Sequence, residues 1–357
     1  MNTRKLKKSH LDIQYKVHKE LFEQPILHQL FFEFTLRCNE HCWHCGSRCG
    51  DIQATELTVA DWKGILDQVK EDFANHLPQI NVTGGEPLLY PGFEEVMSYA
   101  HELGFKWGMT SNAILITPDI AQMLSKCGMN TISVSIDGLE QTHDSLRGLP
   151  GGYRRAMDGI QNLIDIGTCD AIMVTTVVNH ETIHELDDLY EIMKDLDIDY
   201  WRILGVEPIG RALEYPDRAM TMEDQRTLFD FIRSKRADNM PVSYGCSHYL
   251  GLDYEREVRD WYFTCMAGTT IASITCIGDV TGCLDIERTP SVIQGNIHDR
   301  RFSDIWRNEF KIFRRDKAED NETCKNCQDR NYCMGGACHT WDFDNNVQRV
   351  CLSELWR

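Results

Sequence analysis

The chain has 357 residues and a formal charge of −18, a length that corresponds to about two domains. Hydrophobic residues make up 42% and charged residues 26%, a composition that excludes disordered and collagen-like chains. The acidic balance argues against nucleic acid as a partner. The chain has neither the apolar run of about 20 residues that spans a membrane nor a secretory signal, so we expect a cytoplasmic protein.

Short apolar strands alternate with amphipathic helices over about residues 29–206. The predicted strands are Leu30–Leu36, Gln79–Thr83, Lys106–Thr110, Thr131–Ile136, Ala171–Val178 and Tyr200–Leu204. The predicted helices between them are Thr58–Asn75, Gly92–Leu103, Pro118–Lys126, Tyr153–Ile166 and Ile183–Leu196. A helix in each connection indicates right-handed βα units around a parallel sheet. Six strands are fewer than the eight of a closed barrel, so we predict an α/β fold with a partial, TIM-like (βα)6 barrel.

The alternation stops beyond Arg211. We assign residues 1–28 to an N-terminal extension, 29–215 to the barrel and 216–240 to a helical linker. Residues 241–357 form a loop-rich, cysteine-rich domain. A core of that kind needs additional cross-links for stability, and metal clusters can supply them.

The 15 cysteines are too many for buried packing alone, and in a reducing compartment they do not persist as disulfides. Metal ligation is therefore the leading explanation. The first group, Cys38-x3-Cys42-x2-Cys45, follows the first predicted strand, at the end of a parallel sheet where sites occur. Three thiolates can hold three irons of a [4Fe–4S] cluster and leave the fourth iron open to a small chelating ligand.

A structural zinc site is the alternative for the same stretch, because tetrahedral zinc takes four protein ligands. Cys49, His41 and His44 lie near enough in the sequence to supply the fourth ligand.

Polar residues follow successive strands of the predicted barrel, where they can all face one pocket. These residues are Gly84, Gly85, Glu86 and Pro87 after the second strand, Ser111 and Asn112 after the third, and Ser135 and Arg147 in and beyond the fourth. Paired glycines let the backbone approach a ligand closely, and a carboxylate follows them at once. A serine hydroxyl could donate to a ligand carboxylate, and an arginine could bind one bidentately.

The pairing of Cys38-x3-Cys42-x2-Cys45 with the Gly84–Pro87 segment one βα unit later resembles the radical S-adenosylmethionine (SAM) superfamily over about residues 29–215. The resemblance implies a [4Fe–4S] cluster whose unique iron chelates the amino and carboxylate groups of SAM. Reductive cleavage of SAM then gives methionine and a 5′-deoxyadenosyl radical that abstracts a hydrogen atom from a substrate. The SAM-binding residues that we predict are Gly84, Gly85 and Glu86 for the amino group, Ser135 for the ribose or carboxylate, Arg147 for the carboxylate, the region from Leu204 to Val206 for the adenine, and Ser111 and Asn112 beside them.

The C-terminal cysteines are similar to the SPASM extension, a seven-cysteine module that ligates auxiliary [4Fe–4S] clusters. The resemblance implies that auxiliary cluster I is held by Cys265, Cys283 and Cys338, and auxiliary cluster II by Cys324, Cys327, Cys333 and Cys351. Four residues separate Cys333 from Cys338, where the family usually has three. We keep Cys338 as a ligand because the two glycines between these cysteines can absorb an extra residue.

Seven thiolates leave auxiliary cluster I one ligand short. We predict Cys246 as the eighth ligand, with Cys276 or an open, substrate-binding iron as the alternatives. A zinc ribbon is an alternative for the segment from Cys324 to Cys338, because Cys-x2-Cys is a common zinc half-site. An unligated Cys49 or Cys276 that faces the pocket could instead donate a hydrogen atom.

Radical SAM proteins with this extension mostly modify peptides or proteins, so we predict an enzyme that oxidatively modifies a peptide or small protein by a cross-link, a thioether or a related bond. The auxiliary clusters would accept the second electron, and a flavodoxin- or ferredoxin-like protein would donate the first. Only 37 residues precede Cys38, so a separate leader-binding protein or the barrel rim would have to recognise a leader peptide.

Maturation of a sulfatase is a second function that stays open. Sulfatase-maturing relatives carry an aspartate directly after the cysteine equivalent to Cys283, whereas this chain has Leu284 there and Asp285 one position later. Because side chains alternate along a strand, we expect Asp285 to point elsewhere, although it remains the candidate base. A small-molecule radical SAM dehydrogenase, such as one acting on an aminocyclitol, is a third possible function, and a helper or scaffold for cofactor maturation is a fourth.

Overall fold

The computed structural model describes residues 3–51, 53–167, 169–245 and 247–356. Cys246, the predicted eighth ligand, lies outside the described residues. The strands are β1 (Gln29–Glu33), β2 (Gln79–Thr83), β3 (Trp107–Ser111), β4 (Thr131–Ser135), β5 (Ala171–Val178), β6 (Tyr200–Gly205), β7 (Val242–Tyr244), β8 (Ile271–Ile274), β9 (Asp279–Thr281), β10 (Gly295–Asn296), β11 (Trp341–Asp342) and β12 (Val347–Gln348).

The α-helices lie between and beyond these strands. They are α1 (Thr3–Glu23), α2 (Val59–Asp72), α3 (Phe93–Glu102), α4 (Pro118–Lys126), α5 (Glu140–Arg147), α6 (Gly152–Ile166), α7 (Leu186–Asp195), α8 (Met222–Ala237), α9 (Gly251–Val258), α10 (Phe302–Asn308), α11 (Glu322–Lys325) and α12 (Arg330–Cys333).

The strands β1 to β6 are parallel neighbours in chain order, which confirms the predicted partial barrel. Their apolar side chains pack against the surrounding helices. Phe32 and Phe34, at the end of β1 and just beyond it, stack on Trp62 of α2 at ring-centroid distances of 4.7 and 5.0 Å. This packing fixes the C-terminal end of β1, from which the first cysteines project.

Helix starts in the barrel follow the local sequence signals. Thr58 caps α2 in a capping box with Asp61, and Thr117 caps α4 with Pro118 in the first turn. Each side-chain oxygen accepts a hydrogen bond from an otherwise unpaired backbone N–H. The connections between strands are therefore defined by nearby residues, as the sequence predicts.

The sheet is larger than predicted, because it contains ten strands in the order β10-β9-β8-β1-β2-β3-β4-β5-β6-β7. β8, from the cysteine-rich part of the chain, pairs parallel to β1, and β7 pairs parallel to β6. Both edges of the six-stranded wall are thus covered by strands that follow the barrel in sequence. The cysteine-rich part is therefore joined to the barrel by backbone hydrogen bonds beside the first cysteine group.

The predicted N-terminal extension contains a long helix, α1. Its Leu11 is buried, and the side chain of Gln14 donates to the carbonyl oxygen of Tyr262 at 2.9 Å. α1 thus packs against the cysteine-rich part rather than against the barrel helices. None of the described helices combines the length and the apolar composition that crossing a membrane requires.

Candidate active site

The Gly84–Pro87 turn lies directly against the chain that leads into Cys38. The N–H of Gly85 donates to the carbonyl oxygen of Thr35 at 2.8 Å, and that of Glu86 donates to the carbonyl oxygen of Arg37 at 2.9 Å. A Cβ on Gly85 would overlap the Arg37 carbonyl and lie 3.1 Å from Cβ of Cys38. The two motifs that the sequence places one βα unit apart therefore meet, and glycine is required for their contact.

The thiols of the first group lie close to one another. Burial raises the pKa of Cys38 and of Cys42, and the charge of the neighbouring Cys45 adds to this effect in both. Adjacent, partly buried thiols at the end of a parallel strand are a donor set that suits an iron–sulfur cluster.

Cys49 lies behind this set and differs from it. Its Sγ donates to the carbonyl oxygen of Gly84 at 3.4 Å, and its N–H donates to Sγ of Cys45 at 3.4 Å. The side-chain hydrogen bond from Cys49 lowers the pKa of Cys45 to about 6 and, together with burial, raises the pKa of Cys49 far above its ordinary value. The hydrogen bond therefore favours ionisation of Cys45 over that of Cys49.

Cys276, the other unassigned cysteine near this set, is buried in the same small cluster of side chains as Leu36 and Cys49. Its N–H donates to Oε2 of Glu33 at 3.3 Å. The structure thus places Cys276 beside the first cysteine group.

The carboxylate of Glu86 is fully buried next to this group. Oγ of Ser111 lies 3.0 Å from both carboxylate oxygens, and the N–H groups of Asn112 and Leu88 donate at 3.0 and 3.2 Å. Burial raises the pKa of Glu86 to about 7, against the lowering effect of these hydrogen bonds. Ser111 and the backbone of Asn112 therefore orient the carboxylate, while the Asn112 side chain donates to Oδ1 of Asn39 at 2.6 Å.

Arg147 lies in a buried network of charges. Nη1 lies 2.7 Å from Oε2 of Glu40, and Nε and Nη2 lie 2.8 and 2.7 Å from Oδ2 of Asp137. Nε2 of His44 lies 3.2 Å from the same Asp137 oxygen. Burial opposes the charge of Asp137, but Arg147 and His44 outweigh it and hold the pKa of Asp137 well below its ordinary value. Arg147 thus has two carboxylate partners within the chain, and its predicted contact with SAM stays a prediction.

Two further predicted SAM contacts line the barrel wall. Ser135 is half-buried in β4, in register with Thr175 of β5. Leu204 of β6 is half-buried, and a Cβ on Gly245 would overlap its side chain. Val206, just beyond β6, packs with Trp43 from the first cysteine group.

The three cysteines predicted for auxiliary cluster I come together. The N–H of Cys338 donates to Sγ of Cys265 at 3.3 Å, and the charge of Cys283 acts on Cys338. The thiol of Cys338 donates to Cys265, which raises the pKa of Cys338 and lowers that of Cys265. The extra residue after Cys333 therefore does not remove Cys338 from this set.

The four cysteines predicted for auxiliary cluster II line one cavity, together with His248, Tyr249 and Trp356. They are Cys324, Cys327, Cys333 and Cys351. The charges of Cys324, Cys327 and Cys351 all act on Cys333, whose pKa burial and these charges raise to about 12.

A buried lysine that the sequence did not single out lies between the two auxiliary sets. Lys317 lines a cavity with Cys265, Cys333 and Cys338, and its Nζ donates to the carbonyl oxygen of Gly336 at 3.1 Å. Burial lowers the pKa of Lys317, but the charges of these thiols outweigh it, so the pKa lies above its ordinary value. A buried ammonium needs anionic neighbours, and thiolate-ligated clusters would supply them on both sides.

The prediction for Asp285 rested on a wrong premise. β9 ends at Thr281, so Asp285 lies in a turn rather than in a strand, and strand alternation does not apply to it. Its Oδ1 lies 3.8 Å from the position that a Cβ on Gly46 would take, so the exposed carboxylate approaches the first cysteine group. Its role as a base stays a prediction.

A second buried carboxylate, Glu207, joins the barrel to the cysteine-rich part. It follows β6, and its two oxygens lie 2.9 Å from Nε2 of His248 and 2.5 Å from Nε2 of His339. Burial opposes charge on His339, but Glu207 outweighs it and raises the pKa of His339 to about 10. Glu207 thus lies between two histidines at the junction of both parts, and the charge of His339 offsets its own.

Comparison with known families gives a direct match to both halves of this arrangement. A family model described as the radical SAM superfamily matches residues 32–193, and one described as an iron–sulfur cluster-binding domain, SPASM, matches residues 265–328. The chain thus contains a radical SAM domain and a SPASM domain. The match confirms the resemblance drawn from the two cysteine groups, and it favours iron–sulfur ligation over zinc in both.

Curated relatives of this radical SAM protein include enzymes with different substrates. The AdoMet-dependent heme synthase of Methanosarcina barkeri is 28% identical over 322 residues, which cover 85% of this chain and 89% of that protein. The mycofactocin maturase MftC of Mycolicibacterium smegmatis is 28% identical over 312 residues, covering 86% and 77%. The structure of Streptococcus suis SuiB bound to S-adenosylmethionine has a TM-score of 0.69 at 20% identity, covering 87% and 73%, and so shares the fold.

Proposed function

We propose that this protein cleaves SAM reductively and oxidatively modifies a peptide or small-protein substrate. The observation that carries the proposal is the contact between the Gly84–Pro87 turn and the Cys38 segment, which places the buried Glu86 beside the thiols of the first group. A carboxylate held next to an open cluster corner is suited to accept a hydrogen bond from the amino group of a chelating amino acid.

When bound, the SAM-binding cluster and SAM supply the radical that removes a hydrogen atom, and two auxiliary clusters supply an acceptor for the second electron. Glu86 accepts a hydrogen bond from the SAM amino group, and Ser111 holds the carboxylate in orientation. Asp285, exposed near Gly46, is the candidate acceptor for the proton that an oxidised substrate releases. A flavodoxin- or ferredoxin-like protein is proposed as the electron donor, and a separate leader-binding protein as a further partner.

The charge of the site supports a peptide over a polyanionic small molecule. Arg147 is paired with Glu40 and Asp137, and His248 and His339 are both paired with Glu207. The charges of Arg147 and His339 are therefore already neutralised, and the whole chain carries a formal charge of −18. A substrate with several carboxylates would meet repulsion, whereas a neutral or basic peptide would not. The relationship to a mycofactocin maturase points in the same direction.

A porphyrin substrate is the second candidate, and the extensive match to AdoMet-dependent heme synthase favours it. Chemistry on such a substrate would use the same SAM site. Unlike a neutral or basic peptide, a porphyrin substrate would need cationic groups at the barrel mouth to bind its carboxylates.

A direct comparison of the two substrates tests the proposal. The protein, reconstituted without oxygen, is incubated with SAM and dithionite, once with each short peptide encoded beside its gene and once with an iron coproporphyrin. We expect 5′-deoxyadenosine in both incubations and a change in the mass of one of the peptides. Cys38→Ala should abolish both products. A porphyrin that loses mass while every peptide stays unchanged would contradict the peptide assignment.

A further inference from the structure

Arg211 is nearly completely buried, with 4% of its surface exposed, and it lies just beyond β6 in a short 3-10 turn, Gly210–Glu214. Sequence patterns gave no reason to select it, since Cys49, one of its partners, is separated from it by 162 positions. In the structure it lies against the loop that carries the first cysteine group.

Arg211 binds this loop at three of its cysteines. Nε donates to the carbonyl oxygen of Cys42 at 2.8 Å, Nη1 donates to that of Cys49 at 2.9 Å, and the backbone N–H donates to that of Cys45 at 3.0 Å. The guanidinium thus joins the middle of the loop to its far end. The carbonyl oxygens of Cys42 and Cys45 also accept longer backbone hydrogen bonds, of 3.3 Å, from Cys45 and Arg48. Arg211 therefore adds shorter hydrogen bonds at all three positions and holds the two ends of the loop together.

The neighbouring residue makes this contact possible. Gly210 has a φ of +54°, and a Cβ there would overlap the carbonyl oxygens of Cys45 and Gly46. The side chain of Arg48 donates to the carbonyl oxygen of Gly210 at 2.9 Å. Each of the two segments, the turn after β6 and the cysteine loop, thus donates side-chain hydrogen bonds to the backbone of the other.

The charge of Arg211 is also fixed in place. A guanidinium stays protonated under all ordinary conditions. Its counter-ion, Asp51, is 2.8 Å from Nη1 but is also solvent-exposed and shared with His41, whose Nε2 lies 2.8 Å from the other carboxylate oxygen. In the ion pair between Arg211 and Asp51, the buried partner is the guanidinium, and it faces the cysteine loop.

We propose that Arg211 is a positioning residue that organises the cysteine loop and raises the reduction potential of the SAM-binding cluster. A cluster held by thiolates becomes more negative when it is reduced, and a nearby positive charge stabilises that form. The inference rests on the proposed radical SAM function of the loop. It does not depend on which substrate the enzyme takes.

The test is a redox titration of the full-length, reconstituted protein, followed by electron paramagnetic resonance. The SAM-binding cluster is recognised because SAM changes its signal, and the auxiliary clusters serve as an internal reference. Arg211→Met should lower the ratio of reduced to oxidised SAM-binding cluster about tenfold at a fixed potential, which corresponds to about 59 mV for one electron. Arg211→Lys, which keeps the charge, should restore most of the ratio.

Asp51→Asn provides a test of opposite sign that keeps Arg211 in place. It removes the counter-ion and should raise the ratio of reduced to oxidised SAM-binding cluster severalfold. Arg226→Met, on the exposed face of α8, is the control and should leave this ratio unchanged. Shifts of the same sign in Arg211→Met and Asp51→Asn, or no shift beyond that of Arg226→Met, would overturn the proposal. If Arg211→Met loses iron from this cluster alone, the organising role is supported and Asp51→Asn decides the electrostatic one. None of these measurements needs a substrate, so a wrong peptide assignment would leave their results unchanged.

Discussion

At the scale of single residues, the site is governed by a few buried charges whose partners are close and well oriented. Glu86 is the clearest case, because it is completely buried and still accepts hydrogen bonds from Ser111, Asn112 and Leu88. These donors favour the carboxylate and burial favours the acid, and burial is the larger effect, with a pKa of about 7. The group is thus balanced between two protonation states near neutral pH.

This balance predicts that SAM binding depends on pH. The amino group of SAM, as an iron ligand, donates an N–H hydrogen bond to the carboxylate form of Glu86, so a proton on Glu86 competes with SAM below pH 7. We expect the affinity for SAM to fall by up to tenfold per pH unit as the pH decreases below about 7, and to level off above it. Equilibrium binding of SAM to the reconstituted protein between pH 5.5 and 8.5 measures this directly.

Glu86→Gln is the matched control for this titration, since its amide oxygen can still accept from Ser111 and Asn112. Loss of one charge-assisted hydrogen bond, worth about 1.5–3 kcal/mol, should weaken SAM roughly ten- to hundredfold. The dependence on pH below 7 should disappear with it. A variant that keeps the same slope would show that another group is titrating.

Short-range motifs made much of the site predictable. Cys38, Cys42 and Cys45 lie within one loop, and Gly84 to Glu86 within one turn, so local spacing was sufficient to identify them. Arg211 and Lys317 could not be found this way, because each acquires its role only from cysteines distant in sequence. Asp285 was assigned to a strand that ends before it, so strand alternation could not predict the direction of its side chain.

At the scale of elements, β1 is the strand that joins the barrel to the cysteine-rich part. It pairs with β2 on one side and with β8 on the other, and both neighbours run parallel to it. Hydrophobic periodicity predicted β1 to β6 because it is a local signal. The same signal does not specify which strand lies beside which, so the pairing of β8 with β1 was not predicted.

The pairing of β8 with β1 predicts the result of a truncation. A chain that ends at Asn239 lacks β7 to β10 and leaves the backbone of β1 and β6 unpaired at both edges of the sheet. Exposed, apolar strand edges associate with one another. We therefore expect aggregation on size-exclusion chromatography under conditions in which the full chain is monodisperse.

A monodisperse truncated chain with the helical circular dichroism of an intact barrel would contradict this view of β8. It would show that the barrel does not need the cysteine-rich part to protect β1.

At the scale of the whole molecule, three groups of cysteines are arranged around one junction. The first projects from the barrel, the second and third lie in the cysteine-rich part, and Lys317 lines one cavity with cysteines of both auxiliary sets. Glu207, just after β6, contacts His248 and His339 and so links the barrel to the cysteine-rich part. Because β8 and these ion pairs fix one part against the other, the distance between the cysteine groups is set by the fold itself.

The central proposal concerns the first group: Cys38, Cys42 and Cys45 are the ligands, whereas the Cys49 thiol, which donates to the carbonyl oxygen of Gly84, is not a ligand and leaves one iron open for SAM. Electron–nuclear double resonance on the reduced protein, with SAM labelled by ¹⁵N in its amino group, tests it most directly. We predict a ¹⁵N coupling large enough for a direct bond to iron, retained in Cys49→Ala and absent in Cys45→Ala. No ¹⁵N coupling at saturating SAM in the unaltered protein, with one appearing only in Cys49→Ala, would show that Cys49 occupies the fourth position and would contradict the account.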